Sequence, residues 1–203
     1  ANPYAHLVSG LHCVVDLNTM EVLRVEDDGG VETPDVMGEY VPKHVPERIR
    51  AASTREPLKP LLITQPEGPS FTIDGNLLQW QNWSLRIGFN YREGMTLHQI
   101  RYQDGDRERS VAHRISLAEM MVPYRDSSTD HYRRTAFDIG EWGLGFMTTS
   151  LTLGCDCLGE IRYLDATLHN SRGEPYEIPN AVCIHEEDNA VLWKHVDHHD
   201  GAE

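Results

Sequence analysis

The chain lacks most of the features that announce a function. No apolar run approaches the ~18 residues of a membrane-spanning helix, so none is expected here. Basic residues are in deficit, with 18 Lys and Arg against 32 Asp and Glu and a formal charge of -14. Phosphate backbones are held by clustered cations, so a nucleic-acid partner is excluded. An acidic surface suits cationic ligands, although diffuse negative charge serves solubility first. Four cysteines are too few for a disulfide scaffold and leave the compartment open. No basic-then-apolar leader opens the sequence, which leans the reading toward the cytoplasm. There is no His-Glu-x-x-His, which removes the zincins, and no His-x-His pair. Starting at Ala1 and stopping in an acidic stretch at Glu203, it reads as a piece of something longer.

What is present is globular. Hydrophobic residues make up 39% and charged residues 25% of 203, with 16 glycines and 11 prolines favouring turns over long helices. Residues 7–15 and 20–25 read as two strands joined by the turn Asp16-Leu17-Asn18-Thr19, in a register left open by imperfect alternation. Residues 26–60 are acidic and interrupted by Pro34, Pro42, Pro46, Pro57 and Pro60, with room for a short helix only over 44–52. From Pro66 onward short strands follow one another. Phe71 and Ile73 lead into the turn Asp74-Gly75-Asn76, then a run from Leu77 to Trp83, then the alternating Leu85, Ile87 and Phe89. Met95, Leu97 and Gln99 give a weaker strand, Ile100 to Tyr102 another, closed by Asp104-Gly105-Asp106. Residues 111–121 fit strand or helix, and 125–135 read as loop. Strands at intervals of ~8–12 residues predict a mostly β chain, an antiparallel β-sandwich.

Two places carry possible chemistry. Asp138 lies between Phe137 and Ile139, with Gly140, Gly143 and Gly145 close behind. Apolar surroundings push carboxylates toward the pKa range of a general base. The other reading is an aspartate capping the turn at Gly140. Cys155, Cys157, Cys183 and His185 spell C-x-C…C-x-H, a possible zinc set, with Cys155 and Cys157 on one face of a strand. His185-Glu186-Glu187-Asp188 and the histidines at 195, 198 and 199 add metal-like clusters, against a reading as acidic turns and a solvated tail.

FDIGE, LGCDCLGEI, IPNAVCIHEED and WKHVD, in that order, resemble the first half of the catalytic domain of the copper-containing, topaquinone-dependent primary-amine oxidases. ITQPEGPSF, WSLRIGFNYREG and SLAEMMVPY extend the resemblance upstream. It implies that residues 1–45 end a small α+β domain, 46–65 are linker and 66–203 begin the catalytic β-sandwich. It implies a parent that converts primary amines and O2 to aldehyde, ammonia and hydrogen peroxide as a homodimer. Asp138 then matches the catalytic base, which takes a proton from the carbon beside nitrogen in the Schiff base between substrate and quinone. Tyr124 matches the tyrosine that orients the quinone. Ala136, Phe137, Trp142, Gly143, Gly145 and Met147 match the wall of the amine channel, and the small Ala136 implies room for a larger or aromatic amine.

Cys157 and Cys183 match a disulfide pair, closing ~25 residues at a gain of roughly 3 kcal/mol. Cys155 and Cys13 are then free. The family's Asn-Tyr-Asp/Glu-Tyr precursor does not occur, since Asn90-Tyr91-Arg92-Glu93 has the wrong neighbours. Copper and quinone are therefore expected in the parent and not on this chain alone, which is expected to be inactive. Two other readings stay open: a non-catalytic β-sandwich interaction module, and a zinc-binding β domain.

Overall fold

Turn chemistry decides where the strands stop. The computed structural model describes residues 8–29, 41, 43–45, 47, 55–56, 58–128, 131–132, 134–191 and 193–201. Asp16 starts the first reversal: its carboxylate accepts the Asn18 amide at 2.8 Å and its carbonyl the Met20 amide at 2.7 Å. This closes the expected hairpin of β1 (Leu11–Asp16) and β2 (Glu21–Asp27). A bulge between Val14 and Val15 explains the imperfect alternation. Most of the helix expected over 44–52 lies outside the described residues.

The chain divides into two compact units, residues 1–60 with 121–137, and 61–120 with 138–203. Besides β1 and β2, the first holds β8 (Met121–Pro123) paired with β9 (Thr135–Phe137). The second holds an antiparallel meander of β3 (Phe71–Asp74), β4 (Leu77–Trp80), β5 (Trp83–Asn90), β6 (Gly94–Asp104) and β7 (Arg107–Ile115). It also holds the hairpin β10 (Arg162–His169) and β11 (Pro175–Ile184), and the one-turn α1 (Asp138–Glu141). The chain is mostly β and antiparallel, as expected. No helix among the described residues is long and apolar enough to cross a membrane.

Three expectations are corrected. The run from Leu77 to Trp83 is two strands, because Gln81 takes a left-handed φ of 50° and Trp80 pairs with Trp83 across the reversal. The two segments around Gln99 are one strand, β6, kinked where Gln99 has φ 51°. Its best-buried residue in the Met95–Leu97 segment is Thr96, 2% exposed and hydrogen-bonded to His98, while Met95 faces out. Residues 111–121 are strand only to Ile115, and Ser116–Met120 run irregularly onward.

The second unit's core lies where the meander meets the β10–β11 hairpin. Ala166, Leu168, Ile178 and Ala181 cluster there, with Phe89 of β5 packed against them. A register shift opposite Asp165 lets Pro179, which has no amide to donate, sit inside β11. Asn180 follows at φ 53°, its amide donated to Asp165 Oδ1 at 2.7 Å.

Candidate active site

The segment after β9 is held from several sides. Ile139 of α1 is fully buried, the only large side chain so placed among the described residues. It fixes the middle of a helix too short to be stable alone. The Asp138 amide donates to the Met120 carbonyl at 3.2 Å, and the Asp138 carbonyl accepts from the Trp142 and Gly143 amides. Past the helix, Leu144 donates to the Arg92 carbonyl at 2.8 Å and Phe146 to the Tyr91 carbonyl at 2.9 Å. Gly145 lies so close to the β5–β6 turn that a Cβ there would overlap the Asn90 carbonyl oxygen.

Glu119, which sequence reasoning passed over, closes the other side. Its Oε1 accepts the amides of Ile139 at 3.1 Å, Gly140 at 3.2 Å and Met120 at 3.0 Å. Its Oε2 faces the Arg92 guanidinium at 3.3 Å, and Arg92 also donates to the Ala118 carbonyl at 2.8 Å. Burial pushes the Glu119 carboxyl up, but the amides of Met120, Gly140 and Ile139 and the Arg92 charge prevail and hold it below its ordinary value.

The turn at Gly140 is thus capped by Glu119 and not by Asp138. Asp138 is half-buried, and among the described residues nothing donates to its carboxylate.

The β5–β6 turn that carries Arg92 is itself braced. Asn90 Oδ1 accepts the amides of Arg92 and Glu93. Glu93 pairs with Arg114 and accepts from Ser116 at 2.6 Å and Asn90 at 2.8 Å. The Arg114 contact first, then Ser116 and Asn90, hold Glu93 down at about 2. Tyr91 stacks on Phe146 and His169 at 5.1 and 5.9 Å between ring centres.

Residues 72–203 match the family model described as "Copper amine oxidase, enzyme domain". The chain belongs to the copper amine oxidase family. It is 48% identical over 200 residues to a primary amine oxidase of Arthrobacter sp. (strain P1), covering 98% of this chain and 30% of that relative. It is 47% identical over 197 residues to the peroxisomal N-methylputrescine oxidase 1 of Nicotiana tabacum, covering 97% and 25%. Among solved structures it resembles a copper-containing benzylamine oxidase from Hansenula polymorpha, with a TM-score of 0.67, 37% identity, and coverage of 92% of this chain and 30% of that one. The chain therefore spans under a third of the length of these relatives.

The other residues matched to the amine oxidase site fall in both units. Tyr124, Ala136 and Phe137 belong to the first. There Tyr124 follows β8, stacks on His131 at 5.4 Å and lies under the Arg134 guanidinium at 5.1 Å. Ala136 is half-buried in β9 opposite Val122, and Phe137 is 42% exposed. Trp142 and Met147, in the second unit, are exposed at 57% and 61%. Gly143 and Gly145 are buried against Tyr91 and Asn90 backbone, so their missing side chains serve packing.

Cys157 and Cys183 are joined by a disulfide, and Cys13 and Cys155 are free and exposed. Cys155 lies in a turn, its amide donated to the Thr152 carbonyl at 3.1 Å, not on a strand face shared with Cys157. The disulfide takes two of the four sulfur and nitrogen donors from the zinc reading. Cys157, Cys183 and His185 are the only metal-like cluster among the described residues. With both sulfurs joined in the disulfide, that set leaves one imidazole donor and does not fit a copper ion.

Glu186 has a structural task instead. It accepts from Gln65 at 2.5 Å, the Ser70 amide at 2.7 Å and the Trp80 indole at 2.8 Å. Led by the Ser70 amide, these donors overcome burial and hold its carboxyl at about 2. Cavities of about 260 and 490 Å³ open around His185–Glu187, and Asp138 lines neither.

Proposed function

We propose that this chain is the base-bearing segment of a copper- and quinone-dependent enzyme that oxidises primary amines to aldehyde, ammonia and hydrogen peroxide with O2. The quinone, when bound, supplies the electron sink that makes the carbon–hydrogen bond beside the amine nitrogen acidic. Asp138 is the general base that takes that proton. The observation that carries this reading is the uncommitted Asp138 carboxylate on a turn whose amides are engaged by other groups. Such a group is fixed in place without being neutralised by a structural partner among the described residues, which is what proton abstraction needs.

Tyr124 positions the cofactor through its hydroxyl, and the small Ala136 leaves space for a larger or aromatic amine. Membership of the amine oxidase family supports all three roles. The active form is a homodimer.

Asp138→Asn in a full-length enzyme carrying this segment tests the proposal. The amide keeps the shape and loses the basicity. Steady-state peroxide production with benzylamine is expected to fall by roughly 10²- to 10⁴-fold, with KM within a few-fold of the parent value. Turnover within twofold of the parent would remove Asp138 from the chemistry.

A further inference from the structure

We infer that Glu119 is a positioning residue for Asp138, setting where the base sits without touching the substrate. The inference rests on the assignment of Asp138 as base. Glu119 comes from the irregular segment after β7, about twenty positions away in sequence, yet one of its oxygens accepts the amides of Ile139 and Gly140, the two residues that follow the base. That oxygen also holds Met120, whose carbonyl receives the Asp138 amide. The peptide groups on both sides of Asp138 are therefore referred to one carboxylate.

The second Glu119 oxygen faces Arg92. Arg92 belongs to the turn whose carbonyls accept from Leu144 and Phe146, the residues that end the same loop. One turn thus fixes the far end of the loop by backbone and the near end through Glu119. An oxygen shared by three amides resists rotation more than a single cap would.

Gly140 belongs to the same device. Its φ is not left-handed, so backbone conformation does not demand glycine there. A Cβ would instead stand 2.8 Å from Glu119 Oε2. Glycine leaves room for the oxygen that faces Arg92, and a methyl there would shift the carboxylate from its place on the amides. Without Glu119 or without that space, the α1 turn keeps its Ile139 anchor while the direction of the base changes. Misplacement of a catalytic group by about 1 Å costs up to a hundredfold in rate.

The experiment compares Glu119→Ala, Glu119→Gln, Gly140→Ala and Asp138→Asn in a full-length enzyme carrying this segment. It reads kcat, KM and the isotope effect on kcat with α-deuterated benzylamine. Glu119→Ala and Gly140→Ala are each expected to lower kcat by about ten- to a hundredfold. KM should stay within twofold and the isotope effect should rise, because proton removal becomes slower than later steps. Glu119→Gln keeps an acceptor oxygen for the amides and is expected to recover most of the rate. Gly140→Ala gives the same readout should Glu119→Ala fail to fold.

Loss of activity in step with loss of folded protein, at an unchanged isotope effect, would make Glu119 structural and overturn the inference. An unaltered kcat in both Glu119→Ala and Gly140→Ala would do the same while Asp138→Asn stays inactive. An active Asp138→Asn would instead remove the base assignment itself.

Discussion

Glu186 and Asp138 are carboxylates in opposite surroundings. Glu186 accepts three donors, from Gln65, Ser70 and Trp80, and its carboxyl is held at about 2 rather than 4.5. A depressed value means the folded state holds its proton less tightly than the unfolded one. The stabilisation is therefore complete above about 4.5 and is lost as pH falls from there toward about 2. Glu186→Gln is expected to lower the melting temperature at pH 6, with the gap to the parent narrowing by pH 3. A gap independent of pH would mean that charge is not what Glu186 contributes.

Gly145→Ala tests a different residue-scale constraint. The new methyl would collide with the Asn90 carbonyl, and a loss of roughly 3 kcal/mol is expected in urea unfolding. Asp138, Gly145 and Glu186 each stood out in the sequence. Glu119 did not, since an acid inside an apolar run of uncertain period reveals nothing of amides about twenty residues away. The cap reading was sound in kind and mistaken in residue: the turn is capped, from a distance.

At the scale of elements, legibility followed turn chemistry. Asp74-Gly75-Asn76 and Asp104-Gly105-Asp106 are hairpin signals, and both reversals stand where they fall. The Gln81 reversal was hidden because glutamine rarely takes a left-handed conformation and no glycine marks the site. The β10–β11 hairpin was hidden for another reason. Pro175 and Pro179 argue against a paired strand, and only the bulge opposite Asp165 makes β11 possible.

The short α1 depends on packing more than on propensity, having four residues and one fully buried side chain. Ile139→Ala is expected to cost about 2–5 kcal/mol by chemical denaturation, and to impair amine turnover because it loosens Asp138. A loss below about 0.5 kcal/mol would show that Ile139 does not anchor the turn.

At the scale of the molecule, the fold class was readable from strand spacing, whereas the division into units was not. Residues 121–137 group with 1–60 although they lie in the middle of the later sequence, and spacing carries no record of such a return. The surface is unusually apolar in places: Val22, Leu23 and Val25 of β2, and Leu61, Leu62, Val191 and Trp193, are all more than half exposed. Within the described residues, β3 and β7 are the edges of the meander, each unpaired on its outer side. Exposed edges and apolar patches drive association, so this chain alone is expected to self-associate in sedimentation. A stable monodisperse monomer would contradict that.

Thiol titration of the unfolded chain should find two free groups before reduction and four after, given one disulfide and two free cysteines. Finding four before reduction would refute the pairing. The chain alone is also expected to give no amine-dependent peroxide, since its described residues gather no donor set that fits copper.

The claim beneath all of this is that Asp138 removes the proton. The direct measurement mixes benzylamine with a full-length enzyme carrying this segment, without oxygen, and follows the single-turnover reduction that comes before any reaction with O2. Asp138→Asn should slow that phase by roughly 10²- to 10⁴-fold while amine binding persists. A reduction rate equal to the parent's would contradict the assignment.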